Sequence, residues 1–110
     1  VREANGSASA LVRAGMRGRD ADALARDYLD RLGFGAAFGH SLGHGIGLEI
    51  HEAPRLAKSA ETPLPAGAVV TIEPGVYLEG WGGVRIEDDV VLGSEGPEIL
   101  TSFTRELLQL

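Results

Sequence analysis

The residue pattern changes at Gly33, and this change restricts the fold more than any other feature of the 110-residue sequence. Before Gly33, apolar residues recur every three or four positions, as in amphipathic helices. After it come short runs separated by glycine and proline, namely GLEIHE, AVVTIE, GVYLEG and GVRIEDDVVL. Such runs are typical of strands joined by tight turns. Helices followed by strands predict an α+β fold.

Two helices are predicted before this change. Residues 1–14 carry apolar side chains near helical spacing, so we expect a first helix that ends at Gly15. Residues 19–33 show a clearer pattern, in which Asp20 can cap the start and Gly33 sits where a helix-ending glycine belongs. The apolar positions are Ala4, Ala8, Leu11 and Val12 in the first helix and Leu24, Tyr28, Leu29 and Leu32 in the second.

Composition restricts the partners and the compartment. Sixteen acidic and ten basic side chains give a net charge of -6, so the surface should repel phosphate backbones and anionic lipids. We therefore expect neither nucleic acid nor a membrane as a partner. The absence of cysteine excludes disulfides and zinc–thiolate sites and is compatible with a cytoplasmic location, which we expect for this protein.

All three histidines of the chain lie in one glycine-rich segment, GHSLGHGIGLEIHE, residues 39–52. On a helix they would form one stripe, but each glycine in a helix interior costs roughly 1 kcal/mol, so turn and strand are expected instead. In the strand GLEIHE, Leu48 and Ile50 should face the core and His51 the opposite side. The glycine spacing does not match the dinucleotide-binding pattern. Clustered histidines favour a binding site over a purely structural role.

Two carboxylates complete the candidate site. Glu73 ends the apolar run AVVTIE, and a carboxylate at the end of a buried strand needs a partner. In GVRIEDD, Arg85 and Glu87 share one face, and Val84 and Ile86 are expected to pack inward on the other. An Arg85–Glu87 salt bridge would leave Glu73 and the histidines unexplained. A divalent metal such as Mn, Fe, Co or Zn would account for the whole set.

The segments GHSLGHGIGLEIHE, TIEPGVY and GVRIEDD resemble, in order, the signature blocks of the pita-bread (M24) metallopeptidases, which include methionine aminopeptidase, aminopeptidase P and prolidase. EPGVY and RIED are more similar to the aminopeptidase P and prolidase branch. The resemblance covers essentially the whole chain. It implies the second half of a pita-bread fold, with two helices packed over a curved antiparallel sheet. Residues 1–110 would then be the C-terminal part of one catalytic domain.

The resemblance also implies a role for each candidate residue. Glu73 would lie near the nucleophilic water, Glu87 would bridge two metals, and His51 would contact the scissile or a neighbouring carbonyl and the tetrahedral oxyanion. The implied sets are metal ligands His44, Glu73 and Glu87; catalytic residues His40, His51 and Glu73; and substrate-binding residues His51, Arg55 and Arg85.

The implied activity is hydrolysis of peptide bonds that precede proline, by an Xaa-Pro dipeptidase or an Xaa-Pro aminopeptidase. The implied cofactors are two divalent metal ions, with Mn preferred and Co, Zn or Fe as alternatives. The substrate would be a proline-containing peptide, and the longer protein would be a homodimer. Two divalent ions can share a water and lower its pKa, while a glutamate accepts its proton.

The sequence departs from the family in one respect. Two aspartate ligands are expected from the half of the fold that precedes the histidine segment, and this chain does not contain that pair. We therefore expect the 110-residue chain alone to bind metal weakly and to be inactive, unless two copies or a separate chain complete the domain. The alternatives are a methionine aminopeptidase and a non-catalytic pita-bread module that binds peptides or protein partners.

Overall fold

Two helices open the chain in the computed structural model, which describes residues 1–110. Helix α1 spans Arg2–Leu11 and helix α2 spans Gly18–Arg31, followed by a 3-10 turn at Gly35–Ala37. Both predicted helices are confirmed, but α1 ends before Gly15 because Val12 already has an extended backbone. None of the helices has the length and apolar character required to cross a membrane.

The ends of α2 agree only in part with the prediction. Gly33 has a φ of 83°, the left-handed conformation in which glycine ends a helix most readily. The predicted cap at Asp20 is wrong, because Arg17 occupies the capping position and no side chain caps the helix. Asp20 lies in the first turn and accepts a hydrogen bond of 2.8 Å from Arg17 Nε. It therefore holds a neighbouring side chain instead of a backbone amide.

Seven strands follow the helices and form two antiparallel sheets. The main sheet has the order β2-β1-β3-β6-β7, and β4 with β5 forms a separate two-stranded hairpin. The strands are β1 Gly43–Gly45, β2 Glu52–Leu56, β3 Val69–Ile72, β4 Gly75–Leu78, β5 Gly82–Arg85, β6 Asp88–Gly93 and β7 Gly96–Ile99. The predicted arrangement of two helices with an antiparallel sheet is confirmed.

The core lies between the helices and one face of the main sheet. Small side chains line the helices, which lets them approach each other and the sheet closely, and branched side chains of the strands and connections fill the remaining space. The fully buried alanines are Ala4, Ala8, Ala21 and Ala25, and the other core residues are Val12, Leu29, Phe38, Leu42, Leu56, Leu64, Val70, Ile72, Val90 and Leu92.

The segment GLEIHE is not the strand that its alternation predicts. Residues 47–51 form a loop between β1 and β2, and Leu48 and Ile50 are 106% and 77% exposed. The expectation that both face the core is therefore wrong. The backbone reverses here, since the antiparallel partner of β1 starts only at Glu52, and the Glu52 carboxylate accepts a hydrogen bond of 3.2 Å from the Glu49 amide within the loop.

The run GVRIEDDVVL is divided between two sheets. Its first part is β5, which pairs only with β4, and its second part is β6 of the main sheet. Val84 is 52% exposed, so the prediction that it packs inward is wrong, whereas Ile86 is half-buried. The reason is that the β4–β5 hairpin leaves the main sheet, and Val84 belongs to this hairpin. The break between the strands falls at Ile86 and Glu87.

Candidate metal centre

Strand β1 positions His44 between two glycines that allow neighbouring backbones to approach closely. A β-carbon at Gly43 would lie 1.8 Å from the carbonyl oxygen of Thr71, and one at Gly45 would lie 2.1 Å from that of Ala53. No other residue type fits at either position without moving a strand. The two glycines therefore allow β1 to pack closely between β2 and β3. His44 lies between these glycines on β1.

A short hydrogen-bond network joins His44 to Glu73 through Thr71. The Thr71 hydroxyl accepts a hydrogen bond of 3.0 Å from the His44 amide and donates one of 2.9 Å to Glu73 Oε1. Glu73 Oε1 also lies 3.1 Å from His44 Nε2, and both side chains are largely buried, at 13% and 14% exposure. The His44 imidazole and the Glu73 carboxylate therefore lie side by side where β3 ends.

The tautomer of His44 suits metal ligation. Its Nδ1 lies 2.9 Å from the carbonyl oxygen of Gly45. Because a carbonyl only accepts, Nδ1 carries a proton, and in the neutral ring Nε2 presents a lone pair toward Glu73 Oε1. Two acceptors at 3.1 Å repel each other unless a proton or a cation lies between them. A divalent cation bound by both Nε2 and the carboxylate would remove this repulsion.

Arg85 and Glu87 lie on the other side of Glu73. The Arg85 Nε atom is 3.8 Å from Glu73 Oε2 and 3.6 Å from Glu87 Oε2, so one guanidinium faces both carboxylates. Burial, followed by the negative charge of Glu73, raises the pKa of the Glu87 carboxyl above its ordinary value, although Arg85 opposes this shift. The negative charge of Glu73 and Glu87 in one cavity favours a bound cation.

A cavity of about 360 Å³ brings most of the predicted residues together. The His51 ring packs against that of His44, with ring centroids 4.4 Å apart and an interplanar angle of 68°. The predicted residues that line the cavity are His44, His51, Glu73, Arg85 and Glu87, and the other lining residues are Ile46, Ile50, Thr71 and Asp89. Five of the residues singled out from the sequence thus share one site.

His40 lies apart from this cavity. Its Nδ1 is 2.8 Å from the Ser41 carbonyl oxygen and its Nε2 is 2.9 Å from the hydroxyl of Tyr77 on β4. The ring also packs edge-on against Phe38, with centroids 5.1 Å apart. Since Nδ1 must carry a proton to bond a carbonyl, Nε2 of the neutral ring accepts from the Tyr77 hydroxyl. Within this chain, His40 does not join the other predicted residues.

Arg55 also lies outside the cavity lining, although it is close to His44 in the sheet. The two residues are paired in the register between β1 and β2, and directly opposed residues of antiparallel strands point to the same face. Arg55 is exposed. It is therefore beside the site and free to contact a molecule larger than the cavity.

One buried ion pair was missed in the sequence. Asp22 and Arg26 on α2 form two hydrogen bonds of 2.6 and 3.0 Å and are 1% and 8% exposed. Arg26 donates to the carbonyl oxygens of Phe38 and His40, and Asp22 accepts from the amide of Leu42. The pair thus fixes the chain that leads into β1. Opposite charges four residues apart, on the helix face of the buried alanines, were the available signal.

The described residues do not form a complete metal site on their own. No group of three or more His, Cys, Asp or Glu side chains is arranged to hold a metal ion within residues 1–110. His44 and Glu73 are already adjacent, whereas Glu87 faces Arg85. The chemistry of the donors fits a divalent transition metal, and their number calls for further ligands.

Comparison with known proteins identifies the relationship. The model of metallopeptidase family M24 matches residues 1–94. The Xaa-Pro dipeptidase of Pyrococcus furiosus is 48% identical over 108 residues, which are 98% of this chain and 31% of that protein. The chain therefore spans less than a third of the length of this relative.

Solved structures give the same picture. An Xaa-Pro dipeptidase from Bacillus anthracis superposes with a TM-score of 0.95 and 55% identity, over 98% of this chain and 30% of that one. An X-prolyl aminopeptidase from Caenorhabditis elegans, described as a cytosolic enzyme with a di-nuclear active site, gives a TM-score of 0.71 and 35% identity over 83% of this chain and 15% of that one. These likenesses confirm the expected pita-bread fold, and the chain belongs to metallopeptidase family M24.

Proposed function

We propose that this chain forms the C-terminal part of the catalytic domain of an Xaa-Pro peptidase, which hydrolyses peptide bonds that precede proline. The observation that carries the proposal is the convergence of His44, Glu73 and Glu87 on one cavity, with His51 and Arg85 beside them. The names of the similar proteins, Xaa-Pro dipeptidase and X-prolyl aminopeptidase, support the substrate class. The chain alone is proposed to bind metal weakly and to be inactive.

His44, Glu73 and Glu87 would hold two divalent metal ions together with ligands from outside residues 1–110. When bound, such ions lower the pKa of a shared water and polarise the substrate carbonyl. Manganese is the proposed metal, and Co, Zn and Fe are alternatives that the same nitrogen and oxygen donors accept. The di-nuclear site described for the similar Caenorhabditis elegans enzyme supports the number of ions.

The side chains around the cavity would share the work of hydrolysis. Glu73, held by the Thr71 hydroxyl, accepts the proton of the attacking water and returns it to the leaving nitrogen. His51 donates a hydrogen bond to the carbonyl oxygen as negative charge develops there. Arg85 orients Glu73 and Glu87 and reduces the repulsion between them, since its guanidinium faces both. Arg55 would contact the substrate carboxylate.

His40 would act at the margin of the substrate, assisting proton transfer or contacting the peptide. Its hydrogen bond with Tyr77 fixes the orientation of the ring. An Xaa-Pro bond has no N–H, so it needs a site that does not rely on that donor.

The proposal extends to assembly and location. We propose a homodimer in the cytoplasm for the protein that contains this chain, supported by the cytosolic description of the similar Caenorhabditis elegans enzyme for the location. Sedimentation of the protein and fractionation of cells test these two points. A monomer at high concentration, or a protein found in the membrane fraction, would contradict them.

The activity is tested with protein expressed from the complete reading frame that encodes this chain. Purified protein with Mn²⁺ should hydrolyse Ala-Pro, and chelation should abolish the activity until Mn²⁺ is restored. Glu73→Gln should lower kcat by about 10²–10⁴-fold, because the general base is lost. Glu95→Gln, an exposed position in the turn between β6 and β7, is the control. Unchanged hydrolysis by Glu73→Gln would refute the assignment.

The same assay separates the alternative functions. Cleavage of Met-Ala without cleavage of Ala-Pro would identify a methionine aminopeptidase. Binding of a proline peptide without hydrolysis of either substrate, in the presence of Mn²⁺, would identify a non-catalytic module.

A further inference from the structure

Asp88 is a buried carboxylate that the proposed chemistry does not use. It is 1% exposed and follows Glu87 directly in the chain. Its Oδ2 accepts a hydrogen bond of 2.8 Å from Arg105 Nε, and its Oδ1 is buried with no hydrogen-bond partner. Arg105 is therefore the partner on which this carboxylate depends. A buried charge that loses its partner is strongly unfavourable.

The position of Asp88 matters because Glu87 has no strand of its own. Strand β5 ends at Arg85 and β6 begins at Asp88, so Ile86 and Glu87 lie between two sheets. On one side, the Ile86 amide donates to the Pro74 carbonyl at 3.3 Å, and Asn5 Nδ2 donates to the Ile86 carbonyl at 3.3 Å. On the other side, the first residue of β6 is the anchor. The position of Glu87 therefore depends on the contacts of Ile86 and Asp88.

The partner of Asp88 belongs to a segment that has neither helix nor strand, residues 100–106. The Leu100 amide donates to the Asp89 carbonyl, and the Asp89 amide donates to the Thr101 hydroxyl, both at 2.8 Å. Glu106 pairs with Arg2 of α1 at 2.7 Å. The segment thus clamps the start of β6. It lies beyond residue 94, where the match to the family model ends.

We propose that Arg105 is a positioning residue for Glu87 and acts through Asp88. The inference rests on the proposed function, in which Glu87 is a metal ligand. Without Arg105, the Asp88 carboxylate would be buried with neither oxygen paired, and the start of β6 would shift to bring it to water. Because Glu87 is the adjacent residue and has no ladder to hold it, its carboxylate would move with the strand.

The test measures Mn²⁺ affinity, kcat, KM and the thermal midpoint of protein from the complete reading frame. Arg105→Ala should lower Mn²⁺ affinity by about 10- to 100-fold, the range typical for residues that orient ligands. Arg105→Lys should recover most of the loss, since an ammonium can neutralise the same carboxylate. The matched control is Arg19→Ala, which removes an exposed ion pair with Glu61 of 2.6 Å. It should leave the affinity unchanged.

A double variant keeps the test decisive if Arg105→Ala folds poorly. Asp88→Asn with Arg105→Ala removes both charges, so it should bind Mn²⁺ more tightly than Arg105→Ala alone. Arg105→Ala with wild-type affinity would overturn the inference, as would a lysine variant or a double variant no better than Arg105→Ala. Wild-type protein that binds no Mn²⁺ would instead refute the proposed metal site, and this inference with it.

Discussion

Thr71 shows how one hydroxyl can organise the candidate site at the scale of a residue. It accepts from the amide of His44 and donates to Glu73, so the backbone of one strand and the carboxylate at the end of the next are fixed relative to each other. The face of the strand on which Thr71 lies could be predicted from the sequence, because alternation along AVVTIE puts Thr71 and Glu73 on one face. The hydrogen bonds depend on the neighbouring strand and were not predictable.

The electrostatics of Glu87 give a prediction for the metal-free chain. Burial and the charge of Glu73 raise the pKa of this carboxyl in the folded state. Between the unfolded and folded pKa values the folded chain binds more protons, so this group lowers stability as pH rises through that window. Glu87→Gln should therefore raise the thermal midpoint near neutral pH, and the difference should shrink as pH falls below the ordinary glutamate pKa.

The measurement is thermal unfolding by circular dichroism across that pH range, without metal. Glu79→Gln, an exposed residue of the turn after β4, is the control and should leave the midpoint unchanged. A lower midpoint for Glu87→Gln at neutral pH would mean that attraction to Arg85 outweighs burial and repulsion.

At the scale of elements, the sequence pattern predicted those helices and strands whose formation depends on residues close together in the chain. Helical periodicity and Gly33 located α2, and the apolar runs located β3 and β4. The loop at residues 47–51 was not predicted, because the same alternation of apolar residues can occur in a strand and in an exposed loop. The division of GVRIEDDVVL escaped because strand pairing is decided by partners far away in the sequence. His40 shares its segment with the other histidines, but the fold turns it toward Tyr77 and outside the cavity.

Gly43 gives a prediction about how β1 presents His44. A β-carbon there would meet the carbonyl oxygen of Thr71 at 1.8 Å, a backbone atom that cannot turn away. Gly43→Ala should therefore lower the free energy of unfolding by about 1–3 kcal/mol, as overpacking does, and weaken Mn²⁺ binding because β1 must leave β3. Urea denaturation and metal titration are the measurements.

Gly39→Ala is the matched control in the same segment. A β-carbon at Gly39 has nothing within 4 Å, so this variant should unfold at nearly the same urea concentration as the wild type. Equal stability and equal metal affinity for Gly43→Ala and Gly39→Ala would show that β1 does not need its close approach to β3.

At the scale of the whole molecule, the chain exposes several large apolar side chains that do not pack into its core. Trp81 is 81% exposed, Leu48 is 106% exposed, and an apolar groove of about 300 Å³ runs along Phe34, Leu78 and Val84. Large apolar patches mark surfaces that bind other protein. Together with the partial set of metal donors, this surface fits the proposal that the chain works within a larger catalytic domain.

The most direct test of the metal site is anomalous diffraction at the manganese edge, on crystals of protein from the complete reading frame grown with Mn²⁺. The account predicts anomalous density within coordination distance of His44 Nε2 and of the Glu73 and Glu87 carboxylates, with further ligands from outside residues 1–110. No density in this cavity, or density that contacts neither Glu73 nor Glu87, would contradict it.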